Sequence, residues 1–246
     1  MVTRPQRQAG SLARLIDLAG GRALLFPAIA IEPLRSPALD DVLRALGSFQ
    51  LAVFISRNAV EQGLARAREL GVRDRLPIAA AIGGGTRKAL EAEGVQGAIS
   101  PDEPADSEAL LALPQFDAVR GKRVLIFRGA GGRELLASAL RSRGAIVEYA
   151  ECYRRAVPAT DVRPLLADWA RGAVDAVTVS SGESLANLAG LLGEGGRALL
   201  RATPVFVPHP RVAADARELG IAAVVEAGAS DEEMLGALVA YFGRTG

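Results

Sequence analysis

Residues 52–58 read AVFISRN, and residues 176–182, which lie 124 positions further along the chain, read AVTVSSG. Each stretch is a short apolar run that ends at a serine and a small polar turn. The same spacing recurs in two further pairs: 107–111 (SEALL) with 231–235 (DEEML), and 2–4 (VTR) with 126–128 (IFR). Strand–helix segments resemble one another by chance, but one constant spacing at three separated places favours two copies of one unit.

The apolar runs around these repeats predict parallel β-sheets. They are continuous rather than alternating, which is typical of strands covered on both faces, and most are followed by helical periodicity. The predicted strands are 51–55, 78–82, 124–127, 176–179, 205–207 and 222–225. The predicted helices are 59–70, 86–93, 107–113, 133–143, 183–192, 211–219 and 231–242. Alternation of this kind predicts an α/β fold with doubly wound parallel sheets.

Two extended stretches, 26–33 (FPAIAIEP) and 148–158 (EYAECYRRAVP), interrupt this alternation at matching places in the two copies. If both cross between domains as linker strands, 34–151 forms one domain, and 1–30 joins 158–246 in a discontinuous first domain. The alternative is two sequential domains with a boundary near residue 120. The repeats by themselves leave both arrangements open.

The composition limits the classes of function. The 246 residues carry 29 basic and 28 acidic side chains, a net charge of +1, which favours neither nucleic acid nor an acidic membrane surface as a partner. One cysteine, Cys152, and one histidine, His209, exclude an internal disulfide and leave too few ligands for a Cys/His zinc site, so we expect no metal. The N-terminus lacks a secretory signal, and no apolar run approaches the ~20 residues of a membrane span, so we expect a cytoplasmic protein.

Motifs that hold nucleotide cofactors are incomplete. Residues 83–88 (GGGTRK) and 129–134 (GAGGRE) each follow a predicted strand, but Lys88 and Glu134 replace the third glycine of the dinucleotide fingerprint. The sequence has neither a GxSxG nucleophile turn nor an HExxH metal motif. These observations disfavour the common nucleotide-binding and hydrolase interpretations.

The predicted strands share polar turns at their carboxyl ends. These turns are rich in Ser, Thr, Gly and Asn, and they are 56–58, 83–86, 129–132, 180–184 and 208–211. In an open parallel sheet such turns meet at one edge, where ligands bind and where free helix amides favour anions. The alternative is that each is only a tight turn or a helix cap, a feature that contributes about 1 kcal/mol and is common.

Several single residues have two interpretations. Arg4 and Arg128, at equivalent places in the copies, are either ligand clamps or solvated surface groups. Tyr153 lies on the second extended stretch and faces either a ligand cleft or the core, and we favour the cleft. His209, between two prolines, is expected to be a structural loop residue rather than a catalyst, and Cys152 a small buried hydrophobe.

In the order and spacing of its motifs the chain resembles the uroporphyrinogen-III synthases. The resemblance runs over nearly the whole sequence. It is carried by 3–5 (TRP), 26–29 (FPAI), 55–60 (ISRNAV), 82–86 (IGGGT), 124–132 (VLIFRGAGG), 153–155 (YRR), 179–181 (VSS) and 209–213 (HPRVA). Together these motifs identify a family, although each is weak by itself.

The resemblance implies a fold and a reaction. The fold would be two similar α/β domains with doubly wound parallel sheets, the first discontinuous, joined by a two-stranded linker around an active-site cleft, with no metal or organic cofactor. The implied substrate is hydroxymethylbilane, a linear chain of four pyrroles with acetate and propionate arms. Loss of its terminal hydroxyl leaves an electrophilic azafulvene, a spiro intermediate inverts the last ring, and the macrocycle closes as uroporphyrinogen III.

The resemblance also implies roles for residues. Tyr153 matches the family's tyrosine on the second crossing strand and is the predicted proton donor to the departing hydroxyl. The predicted substrate-binding residues are Arg4, Ser56, Asn58, Gly83, Thr86, Arg128, Gly129, Ser180, Ser181, His209 and Arg211. We expect a lyase of tetrapyrrole biosynthesis that is a cytoplasmic monomer and makes only transient contact with the porphobilinogen deaminase that supplies its substrate.

Two alternatives come from other classes of protein. A non-catalytic protein that binds or senses a small molecule would also have two α/β lobes around a hinged cleft. A transferase that uses a nucleotide sugar is the second alternative, and the incomplete phosphate-binding motifs disfavour it.

Overall fold

The computed structural model describes residues 1–102, 106–132 and 134–243. The strands are β1 (Ala30–Pro33), β2 (Leu51–Phe54), β3 (Ile78–Ala81), β4 (Arg123–Gly129), β5 (Ile146–Ala156), β6 (Val177–Thr178), β7 (Val205–Val207) and β8 (Val224–Glu226). The helices are α1 (Gln6–Leu18), α2 (Pro37–Arg44), α3 (Arg57–Glu69), α4 (Gly84–Ala92), α5 (Ser107–Leu111), α6 (Leu135–Ser142), α7 (Arg163–Ala170), α8 (Gly182–Ala202), α9 (Pro210–Glu218) and α10 (Asp231–Phe242). The predicted α/β class with parallel sheets is confirmed.

Contacts divide the chain into two compact units. The split unit, Met1–Ala30 with Ala156–Gly246, is assembled from both ends of the chain, and the middle unit is Ile31–Arg155. β1 and β5, which overlap the two extended stretches of the sequence, are neighbours in one sheet. Each unit has its own sheet and its own core.

The middle unit is built on a five-stranded sheet in the order β1-β5-β4-β2-β3. β2 pairs in parallel with β3 on one side and with β4 on the other, and β4 pairs in parallel with β5. Side chains of β4 alternate between two cores. Phe127 stacks on Phe54 with 4.3 Å between ring centroids, whereas Ile126 packs with Phe116 and Leu140 on the other face. Burial on both faces explains why these strands are continuous apolar runs.

The split unit repeats this arrangement with shorter strands. β6, β7 and β8 pair in parallel in that order. Val2 forms isolated parallel bridges with Leu25 and Thr178, which is the place that β4 takes between β5 and β2 in the middle unit. Ile99 bridges to Ala80 of β3, just as β8 pairs with β7. The same order of pairing in both units confirms the internal repeat.

The ends of the helices follow the same spacing. Gly20 and Gly144, 124 residues apart, each stand after a helix with a φ of 85°, which a glycine adopts without steric cost. α5 and α10 begin at Ser107 and Asp231, again 124 residues apart, and each follows a residue whose side chain caps the helix. The two copies therefore agree in their local signals as well as in their topology.

Some predicted boundaries differ from the structure. α1, α2 and α7 lie outside the predicted helices. α2 and α7 are each eight residues long and carry a proline in the first turn, which favours a loop interpretation. The helix predicted to end at residue 192 is followed by a break at Gly193 (φ 61°, ψ −170°), and α8 resumes as far as Ala202. The helix predicted over 133–143 begins at Leu135, and Arg133 lies outside the described residues.

Candidate functional site

The predicted polar turns of the middle unit lie at one edge of its sheet. Ser56 follows β2, Gly83 follows β3, and Gly129 ends β4. These strands are parallel, so their carboxyl ends meet at the same edge. Tyr153 of β5 joins them, because it pairs with Gly129. The sheet therefore brings these four predicted site residues to one edge.

Ser56 and Tyr153 are joined by a hydrogen bond. The Ser56 Oγ lies 3.0 Å from the Tyr153 Oη, and either oxygen can be the donor. Ser56 is also the N-cap of α3, where its Oγ accepts a hydrogen bond from the Ala59 amide at 3.1 Å. Ser56 is thus a helix cap, as the alternative interpretation proposed, and at the same time a neighbour of the predicted proton donor.

A β-bulge places Tyr153. β4 and β5 pair in step as far as Arg128 with Glu151, and then Gly129 pairs with Tyr153, so that Cys152 has no residue opposite it. Cys152 and Tyr153 are 1% and 3% exposed and belong to the same core cluster, which the alternation of a regular strand would not allow. The Tyr153 ring therefore packs in the core, while its hydroxyl reaches Ser56 at the edge of the sheet, and a contact of that hydroxyl with a ligand stays a prediction.

Cys152 is the small buried hydrophobe that the sequence predicts. Its Sγ lies 3.4 Å from the Arg128 carbonyl oxygen and 3.6 Å from that of Ala59. Burial raises the pKa of the thiol to about 12. At neutral pH the side chain is therefore an uncharged filler of the bulge rather than a nucleophile.

Gly129 is a point of close approach between backbone and ring. A Cβ built on Gly129 would lie 2.8 Å from the Tyr153 Cζ and 3.2 Å from its Oη. Real Cβ atoms essentially never approach within 3.0 Å, so the ring fits only because this residue has no side chain. The Ala130 amide donates a hydrogen bond to the Tyr153 carbonyl at 2.9 Å. Gly129 therefore has a packing role of its own beside the predicted substrate contact.

The turn after β3 leaves the N-terminus of α4 without a side-chain cap. The N-cap is Gly83, which has no side chain to accept a hydrogen bond from the first amides. The Arg57 guanidinium lies beside this turn, since a Cβ on Gly85 would be 3.4 Å from the Arg57 Nε. Uncapped amides and an adjacent guanidinium together favour an anion. Arg57 was missed among the predicted site residues, although its position directly after Ser56 in a polar turn is a signal that could have identified it.

Asn58 and Thr86 lie in the first turns of α3 and α4. They are 9% and 6% exposed, respectively, so both are buried polar residues. The Thr86 amide donates to the Gly83 carbonyl at 3.0 Å, which closes the turn after β3. A direct contact of either side chain with a ligand stays a prediction.

Arg128 lies on the opposite face of the sheet from Tyr153. Its side chain is 3% exposed, its Nη1 pairs with Glu134 at 2.9 Å, and its guanidinium carbon lies 4.5 Å from the centroid of the Tyr149 ring. A Cβ on Gly132 would be 2.6 Å from the Arg128 Nη2, so the turn after β4 passes closely over the guanidinium. The interpretation of Arg128 as a solvated surface group is therefore wrong, because its buried guanidinium packs against the turn after β4.

Glu134 and Tyr149 complete this cluster. The hydrogen bond from the Tyr149 hydroxyl, followed by that from Arg128, holds the pKa of Glu134 below its usual value. Burial, followed by the hydrogen bond to Glu134, raises the pKa of Tyr149. At neutral pH the Glu134 carboxylate is therefore charged and the Tyr149 phenol protonated, so the carboxylate balances the positive charge of Arg128.

In the split unit the helix cap is Ser181 rather than Ser180. The Ser181 Oγ accepts a hydrogen bond from the Ser184 amide at 3.1 Å, and the two residues form a capping box. The Ser180 amide donates to the Ser184 Oγ at 3.3 Å. Ser181 stands directly before α8 just as Ser56 stands directly before α3. The structural equivalent of Ser56 is therefore Ser181, and the spacing of 124, which aligns Ser56 with Ser180, is wrong by one residue at this turn.

His209 and Arg211 stand at the next turn of the split unit. His209 follows β7 as the N-cap of α9 without a side-chain bond to the helix, and both residues are exposed. Asp215 of α9 approaches the N-terminus of α8, since a Cβ on Gly182 would be 2.4 Å from its Oδ2. A carboxylate of the protein itself therefore lies close to the N-terminus of α8.

Arg4 is held by a carboxylate as well. It forms an ion pair with Asp231 at the start of α10, and the side chains are 16% and 18% exposed. The neighbouring Thr3 donates a hydrogen bond to the Thr178 carbonyl at 2.8 Å. Arg4 is therefore not a solvated surface group, and its carboxylate comes from a distant part of the chain.

The part of the chain that the structure describes contains neither a metal site nor a membrane span. Across 1–102, 106–132 and 134–243, no group of three or more His, Cys, Asp or Glu side chains is placed to hold a metal ion. Nor does any helix within those ranges combine the length and apolar character that a membrane span requires. The groups that the sheet edges do offer are hydroxyls, backbone amides, a phenol and guanidinium groups.

Fold and site together define an α/β protein made of two copies of one unit. Its hydroxyls and backbone amides lie at the carboxyl ends of parallel strands, where proteins of this class bind small molecules. A family model described as uroporphyrinogen-III synthase HemD matches residues 10–236. The chain belongs to the uroporphyrinogen-III synthase family.

A similar sequence supports membership of this family, and two solved structures are similar in fold. The chain is similar to the uroporphyrinogen-III synthase of Escherichia coli strain K12, with 35% identity over 96% of this chain and 97% of that protein. The solved structure of uroporphyrinogen-III synthetase from Helicobacter pylori 26695 matches with a TM-score of 0.61 at 16% identity, covering 91% of this chain and 94% of that one. A mutant uroporphyrinogen III synthase from the extremely thermophilic bacterium Thermus thermophilus matches with a TM-score of 0.60 at 20% identity, covering 99% and 98%. The two structures support the fold.

Proposed function

We propose that this protein cyclises hydroxymethylbilane to uroporphyrinogen III, inverting the last ring and releasing water, as a lyase. The observation that carries the proposal is family membership across residues 10–236, together with 35% identity to a uroporphyrinogen-III synthase over nearly all of both chains. The described edge of the middle unit offers the kinds of group that this reaction needs, namely a phenol, hydroxyls and helix amides.

The enzyme must control which carbon attacks a single electrophile. Loss of the hydroxyl from hydroxymethylbilane leaves an azafulvene, which in water closes head to tail to the type I isomer. The enzyme must make attack by the substituted α-carbon of the last ring the faster route. A hundredfold preference requires a barrier difference of only about 2.7 kcal/mol. Many contacts that hold the carboxylate arms can supply this difference together.

We assign Tyr153 the role of proton donor. Its ring is fixed in the core and its hydroxyl meets Ser56 at the edge of the sheet, so the position of the Oη is defined. The proton passes from the Oη to the departing hydroxyl, the electron pair of the breaking C–O bond goes to that oxygen, and water leaves. The electrons of the pyrrole nitrogen stabilise the carbon as an azafulvenium cation. The proton that the last ring loses when the macrocycle closes restores the phenol.

The carboxylate arms are proposed to bind at the strand ends. The middle unit would contribute Asn58, Gly83, Thr86, Arg128 and Gly129 together with Arg57, with Ser56 beside them at the Tyr153 hydroxyl, and the split unit Arg4, Ser180, Ser181, His209 and Arg211. The open N-terminus of α4 beside Arg57 supports this assignment most directly. The geometry gives less support to Arg4 and Arg128, because carboxylates of the protein already pair with them.

The remaining assignments belong to the same proposal. The domains are 1–30 with 158–246, and 34–151, with 26–33 and 148–158 as linker strands; the compact units described above support this division. The enzyme works as a cytoplasmic monomer of tetrapyrrole biosynthesis without a cofactor. It receives hydroxymethylbilane from porphobilinogen deaminase through transient contact.

A coupled assay tests the proposed function. Hydroxymethylbilane is generated in situ with porphobilinogen deaminase, the protein is added, and the oxidised porphyrin isomers are separated by chromatography, with heat-denatured protein as the control. We expect the product pool to move from type I to type III. A pool that stays type I with folded protein would overturn the assignment and favour a non-catalytic binding protein.

A further inference from the structure

We propose that Ser56 is a positioning residue that directs the Tyr153 proton toward the substrate and stabilises the phenolate left behind. The inference rests on the proposed function, since it gives Tyr153 a partner in its role as proton donor. Ser56 would then serve the chemical step rather than the binding of a carboxylate arm, which is the role that the sequence motif suggested for it.

The hydrogen bonds around Ser56 set the direction of its own proton. A serine hydroxyl has one O–H to donate and lone pairs to accept. The Ser56 Oγ already accepts from the Ala59 amide at 3.1 Å, and its second described polar contact is the Tyr153 Oη at 3.0 Å. A hydroxyl that accepts a hydrogen bond becomes a stronger donor, because bonds in a chain polarise one another. The favoured sequence therefore runs from the Ala59 N–H to the Ser56 Oγ, and from the Ser56 O–H to the Tyr153 Oη.

This sequence leaves the phenolic proton free for the substrate. If Ser56 donates to the Tyr153 Oη, the O–H bond of Tyr153 points away from Ser56. The ring cannot move to seek another arrangement, because it packs against Gly129 on one side and lies in the core at 3% exposure. The one rotatable element left is the hydroxyl, and Ser56 fixes its orientation.

The contact becomes stronger as the proton leaves. Once the C–O bond of the substrate breaks and the phenolic proton goes to the departing water, Tyr153 carries a negative charge. The hydrogen bond from Ser56 then ends on an anion, and such charge-assisted bonds are about twice as strong as neutral ones. The Ser56 Oγ is itself held by the first turn of α3, whose amides carry the positive end of the helix dipole. An interaction that strengthens only in the transition state raises kcat without lowering KM.

The test compares substitutions of two serines that both cap helices of the middle unit. Ser56→Gly removes the hydroxyl but keeps a residue that is tolerated at an N-cap, and Ser56→Thr keeps both the hydroxyl and the cap. Ser36→Gly is the matched control, because the Ser36 Oγ caps α2 by accepting from the Leu39 amide at 3.2 Å. Each variant, and Ser56→Gly combined with Tyr153→Phe, is assayed for kcat, KM and the midpoint of thermal unfolding.

We expect Ser56→Gly to lower kcat about tenfold or more with KM unchanged, since a proton donor as a whole contributes about 10²–10⁴-fold. Ser56→Thr and Ser36→Gly should keep the wild-type kcat. In the Tyr153→Phe background Ser56→Gly should have no further effect on kcat, because the two residues act in one step.

Two results would overturn the inference while leaving the proposed function intact: a raised KM at unchanged kcat for Ser56→Gly, which indicates an arm-binding residue, or an undiminished loss of kcat in the Tyr153→Phe background. If the wild-type protein produces no type III isomer, the proposed function and the inference fail together, so the two failures are distinguishable.

Discussion

The two units share one order of strand pairing but differ in the length of their central strand. In the middle unit this strand is β4, seven residues long, whereas in the split unit Val2 alone makes the corresponding bridges. The residue that follows the bulge in the middle unit also differs from its equivalent in the split unit. Tyr153 of the middle unit corresponds by the spacing of 124 to Ile29, which is buried and has no polar group to offer.

The difference shows how a duplicated unit can divide its work. Both copies retain a helix that begins at a capping serine after a polar turn. The phenol is found in the middle unit, together with the β-bulge and the glycine that admit its ring. The comparison therefore predicts that substitutions at Tyr153 and the residues that hold its ring and hydroxyl affect the chemical step, and that changes at the equivalent positions of the split unit do not.

The strongest test of this division is Tyr153→Phe. The substitution keeps the buried ring and removes the predicted proton donor, so kcat should fall about 100-fold or more while the thermal midpoint changes little. Tyr149→Phe is the matched control, because Tyr149 lies on the other face and bonds to Glu134. Chromatography of the isomers measures both. Wild-type turnover in Tyr153→Phe would remove the role assigned to Tyr153.

A second comparison concerns the equivalent arginines. Arg128→Gln should lower the free energy of unfolding by about 2–3 kcal/mol, because a nearly fully buried guanidinium loses its carboxylate and its aromatic contact. Arg4→Gln should cost about 1 kcal/mol, since the Arg4–Asp231 pair is partly exposed. Urea unfolding of both variants measures the difference. Equal losses would show that the two strand ends are built alike.

A third test uses a pair of glycines. Gly129→Ala forces a Cβ to within 2.8 Å of the Tyr153 ring, so we expect kcat to fall about tenfold as the phenol shifts. Gly10→Ala, in α1 of the split unit, meets no atom within 4 Å and should stabilise the protein by about 0.5–1 kcal/mol at unchanged kcat. An active Gly129→Ala would show that the close contact with the ring is not needed for turnover.

The smallest expected effect is that of Arg57→Gln. If the open N-terminus of α4 beside Arg57 binds a carboxylate arm, loss of the guanidinium should raise KM about fivefold and leave kcat near the wild-type value, as the loss of a contact of about 1 kcal/mol implies. Arg211→Gln offers the comparison in the split unit, where a similar rise is expected. An unchanged KM in Arg57→Gln would argue against an arm at α4.

Local patterns in the sequence were sufficient to predict most of the fold. Continuous apolar runs predicted strands such as β2 and β7, and the constant spacing predicted that the units share one topology. α2 and α7 were missed because their first-turn prolines are ambiguous between a loop and a helix start. The strands that were predicted and the helices that were missed both reflect sequence patterns only a few residues long.

The geometry of the site depends on contacts between distant residues, which no local pattern shows. Ser56 and Tyr153 are 97 positions apart, and their meeting depends on a bulge at Cys152 that moves every later side chain of β5 to the other face. The burial of Arg128 likewise depends on the packing of the Tyr149 ring beneath it. The residue types at the edge were predictable, whereas their orientations required the structure.

The discontinuity of the split unit also sets an order of events during synthesis. Val2 finds its partner Thr178, and the Met1 amine its acceptor Ala176, only after these distant residues have left the ribosome. The contacts of the middle unit, in contrast, all lie within Ile31–Arg155 and become available earlier. Nascent chains fold from the N-terminus as complete units emerge. The middle unit, which holds Tyr153, would therefore fold first, and the opening segment of the chain would wait for Thr178 and Ala176 until the second copy is made.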